Sequence, residues 1–371
     1  MLRSGLLHLA QGTRLRRATL APRLAAGLGL LGLLATAAGC GTTASGGSGG
    51  DPVTLHLGYF PNLTHAPAIV GVSRGLLARA LGSRVTLRTT TFNAGPAAIQ
   101  ALLGGSLDAT YVGPNPAING FIASHGGALR IVSGATAGGA ELVVQPDEGI
   151  TSAADLKGKK VATPQLGNTQ DVALRSWLAA RGLHTDPQTG GDVRISPTDN
   201  STTVQLFKQH QIDAAWVPEP YAATLVDTAH GRVLVDEATL WPGGRFPTTE
   251  LVVATSFLNA HADVVRGLVQ GNLDAIGFIN ADPAQARAAV NDALLQLTQK
   301  KLDTTVLDDA WAHLVFSPDP IAGALQTEVR SAHDAGLLAS TDIKGIFDLH
   351  ALDAVLQAAG QPAVGDAGLG S

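Results

Sequence analysis

Polar and apolar positions follow two rhythms along this chain, and one pattern built from both is present twice. Residues 93–117 align without a gap with residues 198–222 at an offset of 105 positions: Gln100 with Gln205, Leu107-Asp108-Ala109 with Ile212-Asp213-Ala214, and Tyr111-Val112 with Trp216-Val217. In the first copy Pro96 suits the opening turn of a helix, and Ile99, Leu102 and Leu103 share one face at helical spacing. In the second, Asn200 or Ser201 is the expected N-cap and Val204, Leu206 and Phe207 face inward. Each helix ends at small or polar residues and is followed by a short apolar run, Ala-Thr-Tyr-Val or Ala-Ala-Trp-Val, which reads as a buried parallel strand. A Pro-rich loop closes each copy, so the chain reads as two related α/β halves.

Around the repeat, Val53–Tyr59 alternates as a strand and breaks at 60–67, where a helix follows. Residues 85–90 form the second strand, a helix starts at Pro116, a strand covers 130–133, and 141–144 leads out of the first half. Residues 248–253 read as a strand returning to it. The long amphipathic runs 264–279 and 283–297 are core-facing helices.

The first 39 residues stand apart. Arg3, Arg14, Arg16, Arg17 and Arg23 precede the apolar run 24–38, with no acid before Asp51, as in an export signal. That run is shorter than the ~20 residues a bilayer span needs. It ends in Ala37-Ala38-Gly39-Cys40, which resembles a bacterial lipobox and predicts a lipid on Cys40, the chain's one cysteine. Residues 40–52, rich in Gly, Ser, Thr and Ala, read as a flexible tether.

Composition narrows the function. About 330 residues remain after the leader, enough for one large or two medium domains. The net charge of −5 includes the five leader arginines, so the folded part is more acidic still, which argues against nucleic acid as a partner. Without cysteine beyond position 40 there is no disulfide, thiolate nucleophile or cysteine metal site, and the histidines lack metal-ligand spacing. No cofactor or metal is predicted.

Four motifs then appear in order: G-Y-F-P-N-L-T-H-A-P-A at 58–68, S-x-x-D-L-K-G-K-K-V-A at 152–162, P-Q-L-G-N-T-Q-D-V-A-L-R at 164–175 and W-V-P-E-P-Y-A at 216–222. Together they resemble the nitrate/sulfonate/taurine class of ABC-transporter substrate-binding lipoproteins, over nearly the whole mature chain. The resemblance implies the two-lobed type II periplasmic-binding-protein fold, each lobe a mainly parallel sheet flanked by helices and joined to the other by two hinge strands. Lobe 1 would comprise 53–142 and 251–371 and lobe 2 residues 143–250, with crossings near 142–146 and 243–251. It also implies a monomer anchored on the outer face of the membrane, working with an ABC permease and its ATPase.

In such a fold the strand-to-helix loops face one cleft, and helix N-termini offer N–H groups to an anion without a basic side chain. The candidate ligand-binding residues are Phe60, Asn62, Thr64, His65, Asn93, Gly95, Ala97, Asn115, Ala137, Gly138, Gly139, Asn168, Thr169, Gln170, Trp216, Glu219 and Thr249. Glu219 either makes a structural hydrogen bond or meets the amine of a taurine-like zwitterion. Trp216 and Tyr111 either stack on the ligand or belong to the core. A small organosulfonate is the leading ligand; nitrate or bicarbonate, then a pyrimidine precursor of thiamine, are the alternatives. Enzymes on this architecture, such as hydroxymethylbilane synthase, depend on a cysteine that the mature chain lacks beyond position 40, and no nucleophile–base pair stands out, so a non-catalytic receptor is expected.

Overall fold

The expected strands form, and they sort into two large sheets of the same internal order, the first extended by one antiparallel edge strand, Leu314–Phe316. In chain order they are β1 (Val53–Tyr59), β2 (Val85–Thr91), β3 (Ala109–Val112), β4 (Leu129–Gly138), β5 (Ala140–Val144), β6 (Lys160–Thr163), the small hairpin β7 (Thr185–Asp186) and β8 (Gly190–Gly191), β9 (Arg194–Pro197), β10 (Ala214–Pro218), β11 (Arg232–Asp236), β12 (Pro247–Ala254) and β13 (Leu314–Phe316). This computed structural model describes residues 51–188 and 190–371, so the leader, Cys40 and most of the tether lie outside the described residues.

The first sheet has the order β13-β4-β12-β3-β1-β2 and the second β11-β5-β10-β6-β9. In each, the first strand of the half pairs in parallel with the second and third, β1 with β2 and β3, β6 with β9 and β10. One strand then runs against its neighbours, β12 between β3 and β4, and β5 between β10 and β11. These two opposed strands each follow directly on a crossing between the sheets, so the mainly parallel lobes are interrupted where the chain changes lobe.

The repeat carries a physical role. Helices Gly95–Leu103 and Asn200–Lys208, and the starts of β3 and β10, keep the 105-residue offset. The matched aspartates clamp the first strand of their own half. Asp108 accepts a bond from the His56 N–H at 2.8 Å and donates its own N–H to the His56 carbonyl at 2.9 Å. Asp213 does the same with Lys160, at 2.6 and 2.9 Å. The matched aromatics are both core residues with a satisfied polar tip: Tyr111 Oη donates to Asn272 Oδ1 and Trp216 Nε1 to Glu237 Oε2.

Three local expectations change. Leu103 is 42 % exposed, because it lies at the last turn of its helix, beyond the face that buries Ile99 and Leu102. The N-cap of the second repeat helix is Asp199, with Asn200 as the first helical residue. The first crossing falls earlier than 142–146, whereas the second lies within the expected 243–251. All of β5 pairs within the second sheet and all of β12 within the first, so the chain leaves the first sheet at Gly138-Gly139 and returns just before Pro247. An apolar strand reads the same in either sheet; the marker of the turn is the pair of left-handed glycines, at φ +76° and +72°.

The tail completes the first lobe. Helices Ala262–Ala281 and Pro283–Thr298 bury Val265, Leu268, Ile276 and Val290 in the same core as β1, β3 and β12. The second sheet carries a core on each face, one built on Trp216 and Trp177 and the other on Phe207 and Val217. No helix among the described residues is long and apolar enough to cross a membrane.

Candidate functional site

Five helices begin around one small cavity between the sheets. Three follow strands of the first sheet, Ala66–Ser73, Gly95–Leu103 and Pro114–Ala123; two follow strands of the second, Thr169–Ala179 and Asn200–Lys208. In none of them does the N-cap side chain bond to the helix's own N-terminal N–H groups. The N-cap residues of four of them, His65, Ala94, Gly113 and Asn168, line the cavity, as does Asn200 at the start of the fifth. Uncapped N–H groups and helix dipoles give such a point a positive potential without a cation.

The side chains add donors. Asn62 Oδ1 accepts from the Thr64 hydroxyl at 2.7 Å, Gln170 Oε1 accepts from Asn168 Nδ2 at 2.7 Å, and Asn168 Oδ1 accepts from the Gly95 N–H at 3.4 Å. With their oxygens so used, Asn62 and Gln170 present amide N–H groups that have no protein partner among the described residues. The buried Thr169 hydroxyl and Asn200 Oδ1 also lack one. His65 is 2 % exposed and stacks on Phe60 at 4.2 Å between ring centroids. Burial pushes its pKa down to about 3, so the ring is neutral at physiological pH. Because His65 Nδ1 accepts the Phe60 N–H at 3.3 Å, the proton sits on Nε2, another donor.

The cavity is narrow, about 20 Å³, room for about one water molecule. It shares Asn93, Ala94 and Pro164 with a wider groove of about 620 Å³ that Thr91, Phe92, Ala97, Gln165, Pro197, Thr198 and Asp199 help to line. No lining residue of the inner cavity carries a full charge, and Asp199 is the charged residue of the groove. The sheets meet across the cleft at the Gly95–Asn168 bond and at a 3.1 Å bond between the Ser176 and Ser331 hydroxyls.

A family model described as the NMT1-like family matches residues 48–294. The chain belongs to the NMT1-like family. A protein of Brucella abortus named as a putative binding protein is 31 % identical over 217 residues, 58 % of this chain and 64 % of that protein, so the chain spans less than two thirds of that relative's length. Among solved structures, the alkanesulfonate-binding protein SsuA of Xanthomonas axonopodis pv. citri, bound to MOPS, superposes with a TM-score of 0.65 at 21 % identity, over 79 % of this chain and 96 % of that one. The periplasmic nitrate-binding protein NrtA of Synechocystis PCC 6803 does so with 0.70 at 16 % identity, over 82 % and 88 %. The fold is therefore that of the periplasmic binding proteins.

In this NMT1-like chain the cavity gathers Phe60, Asn62, Thr64, His65, Asn93, Asn168, Thr169 and Gln170. Gly95 touches it through its bond to Asn168, and Ala97 lines the groove. The other candidates lie elsewhere. Asn115 is buried, with Nδ2 3.4 Å from the Glu328 carbonyl. Thr249 is buried in β12, its hydroxyl unpartnered. Ala137, Gly138 and Gly139 form the first crossing. Trp216 packs in the second core, its centroid 6.0 Å from that of Trp177.

Glu219 is fully buried beside that crossing and does not line the cavity. Its Oε2 accepts the Ala223 N–H at 3.1 Å at the start of helix Tyr221–Ala229, and burial pushes its pKa up to about 8. A carboxyl in an apolar setting resists ionisation, which a short sequence motif does not reveal.

The cavity also holds Ala94 and Pro218, which lie in the candidate loops 93–97 and 216–220, and Gly113, Pro164, Asn200 and Thr248, which sequence reasoning did not single out as ligand-binding. Gly113 was within reach, since it matches Pro218 in the repeat. Asn200 carried only the signal of a cap.

Proposed function

We propose that this NMT1-like protein is the extracytoplasmic substrate-binding component of an ABC importer, and that it captures a small organosulfonate in the cleft between its lobes. The observation that carries this reading is a donor-rich inner cavity without a cation, bordering a wider groove. An oxyanion head accepts hydrogen bonds from every direction and needs no acceptor from the protein; the neutral His65, the amides of Asn62 and Gln170, the Thr169 hydroxyl and the helix N-termini suit it. The organic tail would run past Asn93 and Pro164 into the groove, and the amine of a taurine-like ligand would meet Asp199 there rather than Glu219. The alkanesulfonate-binding structural relative supports the same ligand class.

The small inner volume favours a second reading, in which nitrate or bicarbonate fills the cavity alone. In either case the protein acts as a monomeric receptor without chemistry of its own. It is tethered by a lipid on Cys40, and the closed lobes are what a permease with its ATPase recognises.

Asn168→Ala and Thr169→Ala are each expected to weaken binding of a short alkanesulfonate by about tenfold, roughly the worth of one hydrogen bond to an anion; Asn168→Ala also gives up its bonds to Gly95 and Gln170 and lowers Tm modestly, whereas Thr169→Ala leaves Tm nearly unchanged. The Thr169 hydroxyl has no protein partner to lose. Isothermal titration of both variants decides this, and unchanged affinity in both removes that loop from the site.

A further inference from the structure

Two carboxylates oppose each other in the second sheet. Glu141 of β5 and Asp236 at the end of β11 are register partners in the antiparallel ladder, where like charges directly opposite are destabilising. Glu141 is 3 % exposed, so solvent does little to relieve it. Beside it lies Glu219, fully buried, with Oε1 lacking any partner and its charge interacting with that of Glu141. The basic group facing Glu141 is His313, whose Nδ1 stands 3.4 Å from Glu141 Oε1. One ligating atom from each of Glu141, Asp236 and His313 lies within 4.8 Å of the other two.

We propose that Glu141, Asp236 and His313 bind one divalent metal ion of the zinc type, which clasps the second sheet to the tail of the first lobe. An imidazole with two carboxylates suits a borderline ion, whereas calcium prefers an all-oxygen shell of six to eight ligands. Around a tetrahedral zinc with bonds of about 2.0–2.2 Å, ligand atoms stand about 3.3–3.6 Å apart. Closing the triad from within 4.8 Å takes side-chain movements on the order of 1 Å, and Asp236 and His313, only partly buried, are free to make them. Asp236 Oδ1 already accepts the Ala238 N–H at 2.9 Å, which holds the carboxylate in place and leaves its other oxygen for the ion.

The placement gives the ion a structural consequence. His313 caps the end of helix Thr304–Ala312, and the next residue, Leu314, pairs with Gly138 in the first sheet. A Cβ on Gly138 would stand 2.5 Å from the His313 carbonyl, and one on Gly139 would stand 2.3 Å from Leu314 Cδ2. The histidine therefore rests directly on the first crossing, and Glu141 is the second residue beyond it. An ion held by both sides fixes that crossing from outside the ligand cavity. The three residues are too far apart in sequence to form a motif.

The test is a zinc chloride titration of the chelator-treated purified protein by calorimetry, with thermal unfolding alongside; it needs no organic ligand, so it stands or falls separately from the proposed sulfonate binding. The expected result is one zinc ion per chain and a rise in Tm, with Glu141→Gln and His313→Ala each weakening binding by at least about tenfold. Calcium chloride at equal concentration is expected to give no saturable heat. The His313 side chain is 32 % exposed and it is the backbone carbonyl that packs on Gly138, so His313→Ala is expected to preserve the fold and keeps the test decisive if Glu141→Gln does not. Absence of one-to-one zinc binding, or equal affinity in the wild type and a folded variant, overturns the proposal.

Discussion

Gly113→Ala is expected to lower ligand affinity by about 5- to 150-fold while leaving the ligand-free fold intact. The backbone at Gly113 has φ −71° and ψ 162°, a conformation alanine adopts freely. Such a replacement is expected to keep or slightly raise ligand-free stability, by up to ~1 kcal/mol, through the unfolded chain. The difficulty is across the cleft: the added Cβ would stand 2.4 Å from the Thr169 hydroxyl oxygen, whereas the 3.3 Å approach to the Thr248 carbonyl oxygen lies within the first lobe and is relieved by a shift of a few tenths of an ångström. Thr169 begins a helix of the second lobe, and its position against Gly113 is a feature of the lobes being together. Overpacking of this kind costs roughly 1–3 kcal/mol, and a cost confined to the closed arrangement reduces apparent affinity by the same free energy. Calorimetric titration with an alkanesulfonate and thermal melts without ligand separate the two effects. Equal affinity in variant and wild type would mean that binding does not need this contact.

Glu250→Gln is expected to stabilise the protein, increasingly so as pH rises. Glu250 sits fully buried in β12 with neither carboxylate oxygen partnered, and Glu328 in helix Ala322–Asp334 is almost as buried. Burial first, and then the charge of Glu328, raise the Glu250 pKa well above its ordinary value of 4.5; burial likewise raises that of Glu328. A carboxyl whose folded pKa is raised contributes stability that is fully present below its unfolded pKa and lost as pH climbs toward the folded one. The wild type should therefore lose stability with rising pH, and Glu237 and Glu219, pushed up to about 7 and about 8, add to the same limb. Glutamine mimics the protonated acid and cannot ionise, so the variant gains about 1–3 kcal/mol at the alkaline end. His65 acts in the opposite sense: its lowered pKa removes stability as pH falls below about 6.5. Denaturant melts from pH 6.5 to 8.5 isolate the carboxyl effect. A gap between variant and wild type that stays constant or reverses across that window would contradict the account.

What could be read in the sequence follows from how local each signal is. The repeat was legible because Asp108 and Asp213 clamp a strand with a bond pattern that needs Asp at one fixed position, and because Tyr111 and Trp216 each need a large body with a polar tip. The polar half of the cavity was legible for a related reason, since His65 and Asn168 stand where helices start. The first crossing was displaced because β5 is an apolar strand whose sheet is chosen by distant pairing. Trp216 and Glu219 share a motif with the cavity-lining Pro218, yet the tryptophan lies mid-strand over the second core, only the end of β10 reaches the cavity, and the chain beyond it carries the glutamate behind the crossing. Thr248 and Gly113 reach the cavity only because two remote segments meet there.

The most direct test of the central claim is a calorimetric titration of the purified protein with an alkanesulfonate series of increasing chain length, beside nitrate, bicarbonate and a hydroxymethylpyrimidine. The account predicts one-to-one binding of the sulfonates, tightening over the first carbons by roughly fourfold per buried methylene, about 0.8 kcal/mol each, as the tail enters the groove. Nitrate and bicarbonate should bind more weakly, because they leave the groove empty. Binding of the pyrimidine alone, or of no oxyanion at all, would contradict it.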